Sequence, residues 1–576
     1  MARSTHRRPA AAPEPRPSHS EAVWSHPASL AALVLAFTCV LLSVSFRAYD
    51  YDVWQHLVYG KALWASGAVP HTQLWTWPDH GVPVVNPSWG FSALLWPVWN
   101  ALGEPGLALW RWLTTLAAFA LLFRASRALG ARRLPALTVL VIAGLVYRQR
   151  SQVRPETLAA VLLAAELWLL SIRGRIAWPR AVALVALVWL WANVHVSFIL
   201  GLLLIAARVV CDQFERGPQH GAPVRGLLPV FAVACASVFV NPFGAEAVLR
   251  PLRFAQEWRN DEFMSGISEL RPLDWSVNLS NGLPLLMLAW PLLLLWGWRK
   301  RGFDAFEAAC CVVFTAVAFS GNRFVATYAL VAAPFVARGF SDWLGSRRWD
   351  WGGRAVWRDT LMLALAWFAA CAFEWTHYEN RFGIAVDRRR LPVAACDFMQ
   401  AHDVRGRGIN DFYLGGYQLW RFWPDPGRLP FFDIHPEDKP AALRAAYLRA
   451  FTSRRGWDAL DRRFRFDYAL LSRSDVDHAG LCDLLDMLPE WSLVFVDDAA
   501  ALYVRSDGPL AAQASSQGYR VLPAGRRDLQ RLIASGAADS VLAGILRAEL
   551  RREAASSAYT TTFAALRAAL GVKAAR

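Results

Sequence analysis

The chain contains 576 residues, of which 55% are hydrophobic and 19% are charged. Its apolar residues fall in long runs without helical or strand periodicity, which excludes an ordinary soluble domain over most of the length and predicts a membrane protein with many spans. The formal net charge of +15 does not indicate nucleic-acid binding, because the arginines cluster in short segments between the apolar runs, where membrane orientation requires them.

Eleven apolar runs predict membrane-spanning α-helices, although several are shorter than a full bilayer crossing requires. The first run follows an Arg- and Pro-rich tail, and no small-residue cleavage site follows it. We therefore interpret it as an uncleaved span rather than a signal peptide. The predicted spans lie near residues 28–46, 106–123, 134–147, 157–172, 179–193, 196–212, 226–240, 282–298, 304–320, 324–338 and 359–373.

The basic residues between these runs predict the orientation of the chain. Cytoplasmic loops are rich in Lys and Arg, and every second loop is basic if the N-terminal tail lies inside the cell. The long run 181–212 must then break at "NVHVS", because a single helix there would move all later basic loops outside. The inside loops contain Arg124, Arg127, Arg132, Arg133, Arg173, Arg175, Arg180, Arg299, Lys300, Arg301, Arg338, Arg347, Arg348, Arg354 and Arg358.

An odd number of spans places the chain after about residue 374 outside. There the segments "RFDYALLS", "WSLVFVDD" and "AALYVRS" read as strands among amphipathic helices, which predicts a soluble α/β domain. Cys396 and Cys482 lie in this polar part and allow one disulfide. The predicted organisation is a disordered cytoplasmic tail over 1–27, a transmembrane domain over 28–373, a soluble α/β domain over 374–505, and a helical tail over 506–576 without an assigned function.

An acidic pair directly follows the first predicted span, in "FRAYDYDVWQH". Asp52 with Gln55 three residues later forms a capping-box pattern, so a helix cap is one interpretation of Asp52. Asp50 has no such explanation, and both carboxylates can serve one site from the extended chain before the helix. His56 lies one helical turn after Asp52 and either faces the same site or forms an interfacial hydrogen bond.

These features together resemble the GT-C class of integral-membrane glycosyltransferases. The string "DYDVWQHLVYGKALWASGAVPHTQLWTWPDHGVPVVNPSWG" is more closely similar to a largely uncharacterised group of bacterial membrane proteins placed in that class. The resemblance covers about residues 28–505 and implies a bacterial inner-membrane protein with its N terminus cytoplasmic and its soluble domain periplasmic. Further segments that carry the resemblance are "RPET", "WANVHVSFILG", "NPFG", "ISELRP", "NRF" and "GINDFYLGGYQLW".

The resemblance implies transfer of a sugar from a polyprenyl-phosphate carrier to a glycan, lipid or protein acceptor outside the membrane, with inversion at the sugar carbon. Such a displacement needs a base for the acceptor hydroxyl and positive charge for the departing phosphate. Asp50 or Asp52 is the candidate base, with Asp50 favoured because no capping role explains it. The same pair would supply oxygen ligands if Mg²⁺ or Mn²⁺ took part, but two carboxylates do not establish a metal.

Outward arginines are disfavoured by the orientation rule and are candidates for binding the lipid phosphate. Arg154 precedes Pro155, which suits the first position of a helix, so Arg154 lies beside an N-terminus that attracts anions. Arg323 opens the tenth span. We expect both to contact phosphate. For Arg148 and Arg150 we expect snorkelling to lipid headgroups instead.

Two further polar pairs occur in outward loops. Asn193 and His195 lie at the predicted helix break, where they either hydrogen-bond sugar hydroxyls or satisfy the open backbone of the turn. Glu269 and Arg271 predict a local ion pair.

The sequence also departs from the family pattern, and a second function class stays open. "FFDIHP", with Asp433 and His435, stands where relatives tend to have Asp-Gly-Arg, so no role of that arginine is carried over. The alternative function is a non-catalytic transporter or scaffold for envelope polysaccharide. A transporter would place polar residues at mid-membrane in repeated halves, whereas here they collect at one end of the spans.

Overall fold

The computed structural model describes residues 27–214, 226–258, 260–345, 355–376, 382–473, 480–534 and 540–572. The predicted cytoplasmic tail, apart from its last residue, lies outside the described residues. So do Arg347, Arg348 and Arg354 of the predicted basic loops.

Each of the eleven apolar runs coincides with an α-helix. The predicted break in the run 181–212 is confirmed, because one helix ends at Val194 and the next begins at Phe198. The backbone of His195 between them is extended, with φ −163° and ψ 143°. The eleven helices are Pro27–Ser43, Glu104–Ala128, Arg133–Tyr147, Pro155–Ser171, Trp178–Val194, Phe198–Phe214, Leu227–Ser237, Leu283–Arg301, Ala305–Ser320, Val325–Gly345 and Ala355–Trp375.

Several of these helices present apolar side chains outward, as a lipid environment requires. Among the described residues, Glu104–Ala128 and Asn322–Gly345 are long and apolar enough to cross a bilayer by length and composition. Shorter apolar helices surround them. Leu288 is 64% exposed and Val312 is 70% exposed, and exposed apolar surfaces of this kind mark contact with lipid or protein. The number of crossings stays a prediction.

Two further helices lie against one end of this bundle. The helix Asp52–Ser66 begins at the second residue of the acidic pair and packs against the helix Trp89–Leu102. Their close approach depends on Gly60, because a Cβ added there would collide with the carbonyl oxygen of Ser92 and lie 2.6 Å from Cβ of Trp96. The chain between the seventh and eighth apolar helices adds the short helices Ala245–Trp258, Glu262–Gly266 and Trp275–Asn278.

The C-terminal part contains a four-stranded sheet, as the alternating segments predicted. Its strands are β1 (Gly408–Asn410), β2 (Tyr468–Ser472), β3 (Trp491–Val496) and β4 (Ala500–Arg505), in the order β1-β2-β4-β3. β1 pairs with β2 in parallel, and the other two pairs are antiparallel. The helices around the sheet are Val393–Ala401, Phe412–Phe422, Ala441–Thr452, Arg454–Phe464, Gly480–Leu485, Ala511–Gln517, Arg526–Ala534, Ser540–Ser556 and Ala564–Ala569.

The helices after residue 505 complete the hydrophobic core of this sheet. Leu546, Leu550 and Phe563 are fully buried and belong to the same apolar cluster as Leu471 of β2 and Tyr503 of β4. The segment 506–576 is therefore packed on the sheet as far as it is described.

The two cysteines of the predicted soluble part are not bonded to each other. Cys396 and Cys482 are both buried free thiols. The disulfide that the sequence allowed is therefore not formed.

The C-terminal part contacts the helix Asp52–Ser66 directly. Trp54 packs edge-on against Tyr417, with ring centroids 5.0 Å apart. A Cβ added at Gly416 would lie 2.6 Å from the carbonyl oxygen of Tyr51, so glycine permits the close approach. Asp433 and His435 contact Gln55 of the same helix, and His435 lines one cavity together with the acidic pair.

Substitution of Gly60 tests the packing of the two helices beside the bundle. We expect Gly60→Ala to lower the melting temperature, because the added methyl group forces the helices apart at a cost of about 1–3 kcal/mol. Thermal unfolding of the purified protein in detergent measures the effect.

Gly544→Ala is the matched control for Gly60→Ala. Gly544 lies in the helix Ser540–Ser556, and nothing lies within 4 Å of an added Cβ. This change should keep or raise the melting temperature, because Ala favours an exposed helix by up to about 1 kcal/mol over Gly. Equal melting temperatures for Gly60→Ala and the parent would contradict the close packing.

Candidate functional site

A cavity of about 660 Å³ opens at the end of the bundle where the predicted outward loops meet. Six of the seven residues predicted from the sequence line it: Asp50, Asp52, His56, Arg154, His195 and Arg323. Segments far apart in the chain therefore converge on one concave site, and its volume lies in the range of small-molecule pockets.

Asp50 is held rigidly at the wall of this cavity. Its side chain is 1% exposed, and Nε of Arg154 donates to its two carboxylate oxygens at 3.0 and 2.9 Å. The backbone N–H of Asp52 also donates to Asp50 Oδ1, at 2.9 Å. Asp50 thus fixes both the start of the following helix and the guanidinium opposite.

The predicted capping box is wrong. The helix begins at Asp52 itself, and its N-cap residue Tyr51 makes no side-chain capping bond. The side chain of Gln55 points to the C-terminal part instead. It donates to Oδ2 of Asp433 at 2.8 Å and accepts from the backbone N–H of Ile434 at 3.1 Å.

The reason for favouring Asp50 as the base is therefore also wrong. Asp50 does have a local structural bond, to the N–H of Asp52, and Asp52 has no capping role.

Arg154 lies between three carboxylates. In addition to Asp50, it contacts Oδ2 of Asp52 at 3.3 Å, and its Nη1 donates to Oε1 of Glu269. Burial alone would lower the pKa of the Arg154 guanidinium, but Asp50, Asp52 and Glu269 outweigh it and hold the pKa well above its ordinary value. Arg154 is consequently a permanent cation at the centre of the acidic cluster.

Asp52 is the more accessible member of the acidic pair. Its side chain is 31% exposed. The pKa of the Asp52 carboxyl is raised to about 7. Burial is the main cause, the negative charges of Asp50 and Glu269 raise the pKa further, and the positive charge of Arg154 only partly opposes them. A carboxylate with a pKa near neutrality is suited to accept a proton.

The two predicted histidines are neutral in this environment. Burial, and then the nearby His435, lower the pKa of His56 to about 3, and its Nδ1 lies 3.1 Å from Oγ of Ser92. Burial lowers the pKa of His195 to about 4. Both imidazoles can therefore exchange hydrogen bonds with a ligand without carrying charge.

A second carboxylate, Glu156, joins the remaining arginines. Its Oε1 accepts from Nη2 of Arg150 at 2.8 Å and lies 3.5 Å from Nη2 of Arg323 and 3.9 Å from Nε2 of His195. Nη1 of Arg150 also lies 2.9 Å from Glu269. The resulting network alternates acidic and basic groups along the cavity, which offsets the cost of burying each charge.

Three expectations about neighbouring charges are wrong. Arg148 and Arg150 do not snorkel to lipid: Arg148 is buried and donates to the carbonyl oxygen of Ser43 at 2.8 Å, and Arg150 pairs with two carboxylates. Glu269 does not pair with Arg271, which donates to the carbonyl oxygen of Gly266. The cause is the fold of the 262–274 loop, which turns Glu269 into the cavity.

Asn193 is the one predicted site residue that does not line the cavity. Its Oδ1 accepts from Nε1 of Trp89 at 3.1 Å, and its Nδ2 donates to the carbonyl oxygens of Trp189 and Val240 at 3.0 and 3.2 Å. Of the two interpretations left open for Asn193, these bonds favour satisfaction of the backbone at the helix break.

The cavity also contains residues to which the sequence assigned no role. His435 lies over the acidic pair, with its Nδ1 2.9 Å from Nε2 of Gln55. Burial lowers its pKa, but Glu437 and Asp433 outweigh this effect and raise it overall. Two sequence features could have indicated these residues as members of the site. His435 lies in "FFDIHP", where the sequence departs from the family pattern, and Glu156 lies in "RPET", beside Arg154.

The acidic pair does not fit a divalent cation in this arrangement. Mg²⁺ and Mn²⁺ require several carboxylate or water oxygens around one position, and here the guanidinium of Arg154 lies between the carboxylates. Among the described residues, no group of three or more His, Cys, Asp and Glu side chains is arranged to hold a metal ion.

A second cavity of about 300 Å³ adjoins the polar one and is lined mainly by apolar side chains. It lies between the helices Pro155–Ser171, Phe198–Phe214, Ala245–Trp258 and Val325–Gly345. Glu156, His195, Phe254 and Arg323 line both cavities. An apolar space within the helical bundle thus leads directly to the charged site.

Comparison with solved structures identifies the fold. The archaeal oligosaccharyltransferase AglB from Archaeoglobus fulgidus, in complex with an inhibitory peptide and a dolichol-phosphate, superposes with a TM-score of 0.56 at 12% identity, covering 86% of this chain and 76% of that one. The form of the Archaeoglobus fulgidus enzyme tethered to an acceptor peptide gives a TM-score of 0.54 at 11% identity, covering 84% and 75%.

These similarities confirm the GT-C fold that the sequence predicted: a helical membrane protein with a C-terminal domain. No family model matches the chain, and no curated protein matches it either. Membership of the uncharacterised bacterial group stays a prediction.

The two carboxylates of the acidic pair should affect stability in opposite directions. Asp50→Asn should lower the melting temperature at pH 8, because Arg154 would lose a buried partner. Asp52→Asn should raise it. The pKa of Asp52 is about 7 in the folded protein and near 3.8 when unperturbed, so ionised Asp52 opposes folding increasingly between about pH 4 and pH 7 and fully above that.

Melting curves of both variants at pH 4 and pH 8 test this prediction. The stabilisation by Asp52→Asn should be much smaller at pH 4, where the carboxyl is protonated in the folded state and about half protonated in the unfolded state. Asp507→Asn is the control, because that side chain is 68% exposed. A loss of stability in Asp52→Asn at pH 8 would contradict the raised pKa.

Proposed function

We propose that this protein is a glycosyltransferase of the bacterial inner membrane, which moves a sugar from a polyprenyl-phosphate-linked donor to a periplasmic or envelope acceptor. The observation that carries this proposal is the pair of adjoining cavities. The apolar cavity suits a polyprenyl chain, and the charged cavity suits the phosphate, the sugar and the acceptor hydroxyl. Arg323 lies at the junction of the two.

The shared fold supports the same class of donor. Dolichol-phosphate, which is present in the archaeal structure, is itself a polyprenyl phosphate. An acceptor peptide is tethered to the related form. At 12% identity the similarity concerns the fold, and it does not specify the sugar or the acceptor.

Arg323 is the proposed phosphate ligand. Its ion pair with Glu156 is long, at 3.5 Å, its guanidinium lies 5.9 Å from the ring centroids of Phe254 and Phe324, and its side chain is 20% exposed at the junction of the cavities. Arg154, the other predicted phosphate ligand, is engaged by three carboxylates. A phosphate that leaves the sugar would therefore find its countercharge at Arg323, which stabilises the charge that develops there.

Asp52 is the proposed general base. The oxygen of the acceptor hydroxyl attacks the anomeric carbon, the carbon–oxygen bond to the phosphate breaks, and its electron pair leaves with the phosphate. The proton of the hydroxyl passes to the Asp52 carboxylate. Asp50 holds Arg154 and the first turn of the helix, and so positions Asp52. His56 and His195 are proposed to hydrogen-bond the sugar as neutral groups.

The proposed topology follows the basic loops. In this proposal the N terminus is cytoplasmic, the chain crosses the membrane eleven times, and the cavity lies at the periplasmic end of the bundle. The proposed domains are the transmembrane domain 28–373 and the α/β domain 374–505, and the described residues of the tail 506–576 pack on the latter. The contact of Gln55 with Asp433 and Ile434 supports a role of the α/β domain in closing the acceptor side of the cavity.

Removal of the proposed base should abolish transfer. We expect Asp52→Asn to reduce the rate of transfer from polyprenyl-phosphate sugars by about 10²–10⁴-fold. In the parent, the rate should rise as the pH increases through about 7, because Asp52 must be ionised to accept the proton. Radiolabelled sugar transfer by purified protein, measured across a panel of donors from pH 5 to pH 9, tests both expectations.

Unchanged transfer by Asp52→Asn would exclude this residue as the base. Absence of transfer by the parent with every donor of the panel would favour the transporter or scaffold. Asp507→Asn serves again as the control for the loss of a carboxylate.

Filling the apolar cavity should weaken donor binding without changing the chemistry. Ala255 is exposed on the helix Ala245–Trp258 and lines this cavity. We expect Ala255→Trp to raise KM for a long-chain donor about tenfold with little change in kcat, because the chain is remote from the reacting atoms. Val312→Trp, on an exposed apolar face away from both cavities, is the control. Equal KM values for Ala255→Trp and the parent would contradict the assignment.

A further inference from the structure

Arg154 occupies a position from which a single cation reaches three carboxylates, two of the first outward loop and one of the 262–274 loop. Its Nε lies 2.9 Å from Asp50 and 3.3 Å from Asp52, and its Nη1 contacts Glu269. Glu269 lies more than 200 residues after Asp50 and Asp52 in the sequence. One positively charged group therefore ties them together.

We propose that the guanidinium of Arg154 takes the place of a divalent cation in this site, so that the site operates without a bound metal ion. The role of the site in catalysis rests on the proposed glycosyl transfer. The replacement of a metal ion by Arg154 does not depend on any substrate. Arg154 is then a positioning residue: it holds Asp50 and orients Asp52, and it acts on the acceptor only through them.

The oxygens of Asp50 are already committed to donors. One accepts from the N–H of Asp52 and from Nε of Arg154, and the other accepts from Nε of Arg154. A Mg²⁺ ion would need such oxygens at about 2.0–2.1 Å. It could approach them only by displacing a buried guanidinium, which would leave that charge without a partner at a cost of several kcal/mol.

The charge balance of the cavity supports the same conclusion. Arg150, Arg154 and Arg323 alternate with Glu156, Glu269 and the acidic pair along the wall. Arginine keeps its charge at any physiological pH. Three arginines thus oppose four carboxylates in this network, and these cations belong to the chain itself and cannot dissociate.

Binding of Mn²⁺ to the purified protein in detergent, measured by electron paramagnetic resonance without substrate, tests the proposal. The parent should show no Mn²⁺ site within the cavity. Arg154→Ala should gain one, because it leaves three carboxylates facing an open position, and its affinity should exceed that of Arg154→Ala/Asp50→Asn by at least about tenfold. Arg154→Lys, which keeps a cation, should gain none.

Arg271→Ala is the matched control, since Arg271 lines the same cavity but donates to a backbone carbonyl group. A Mn²⁺ site in the parent that Asp50→Asn removes would overturn the proposal. So would a folded Arg154→Ala protein that gains no site. Because no sugar is transferred in this measurement, its result is separate from that of the transfer assay, which alone decides the proposed function.

Discussion

The structure depends on the pairing of charges at one end of an apolar helical bundle. Four carboxylates and three arginines are buried or half-buried there, and each would be costly alone. Arg154 joins Asp50, Asp52 and Glu269, and Arg150 continues the network to Glu156. These bonds set where the outward loops lie, and the cavity is the space that remains between them.

The same pairing separates the tasks of neighbouring side chains. Asp50 is enclosed and fully bonded, whereas Asp52, two residues later, is partly exposed and has a pKa near 7. The difference arises because the chain turns into a helix between them. Arg323 is only loosely paired, and it lies where the charged cavity meets the apolar one. Asp52 and Arg323 are thus the least constrained members of the network, and the proposed roles of general base and phosphate ligand rest on them.

Hydropathy and charge predicted much of this fold. The break at "NVHVS" followed from loop charges alone and is seen at His195, and all eleven apolar runs are helices. The convergence of the predicted site residues followed from the same loop assignment. The ion-pair partners of these residues could not be predicted in the same way, because a pairing such as Arg154 with Glu269 depends on how a loop folds over the site. Gln55 was assigned to a local cap for the same reason: its true partners lie about 380 residues away.

The hydrogen bonds between Gln55 and the segment around Asp433 constrain how the membrane part and the soluble part of this fold can change in evolution. Residues of the C-terminal part line one side of the cavity that contains the acidic pair. Replacement of the soluble part would therefore also change the lining of the cavity in the membrane part. The soluble part and the cavity of the membrane part are then expected to change together, as one unit.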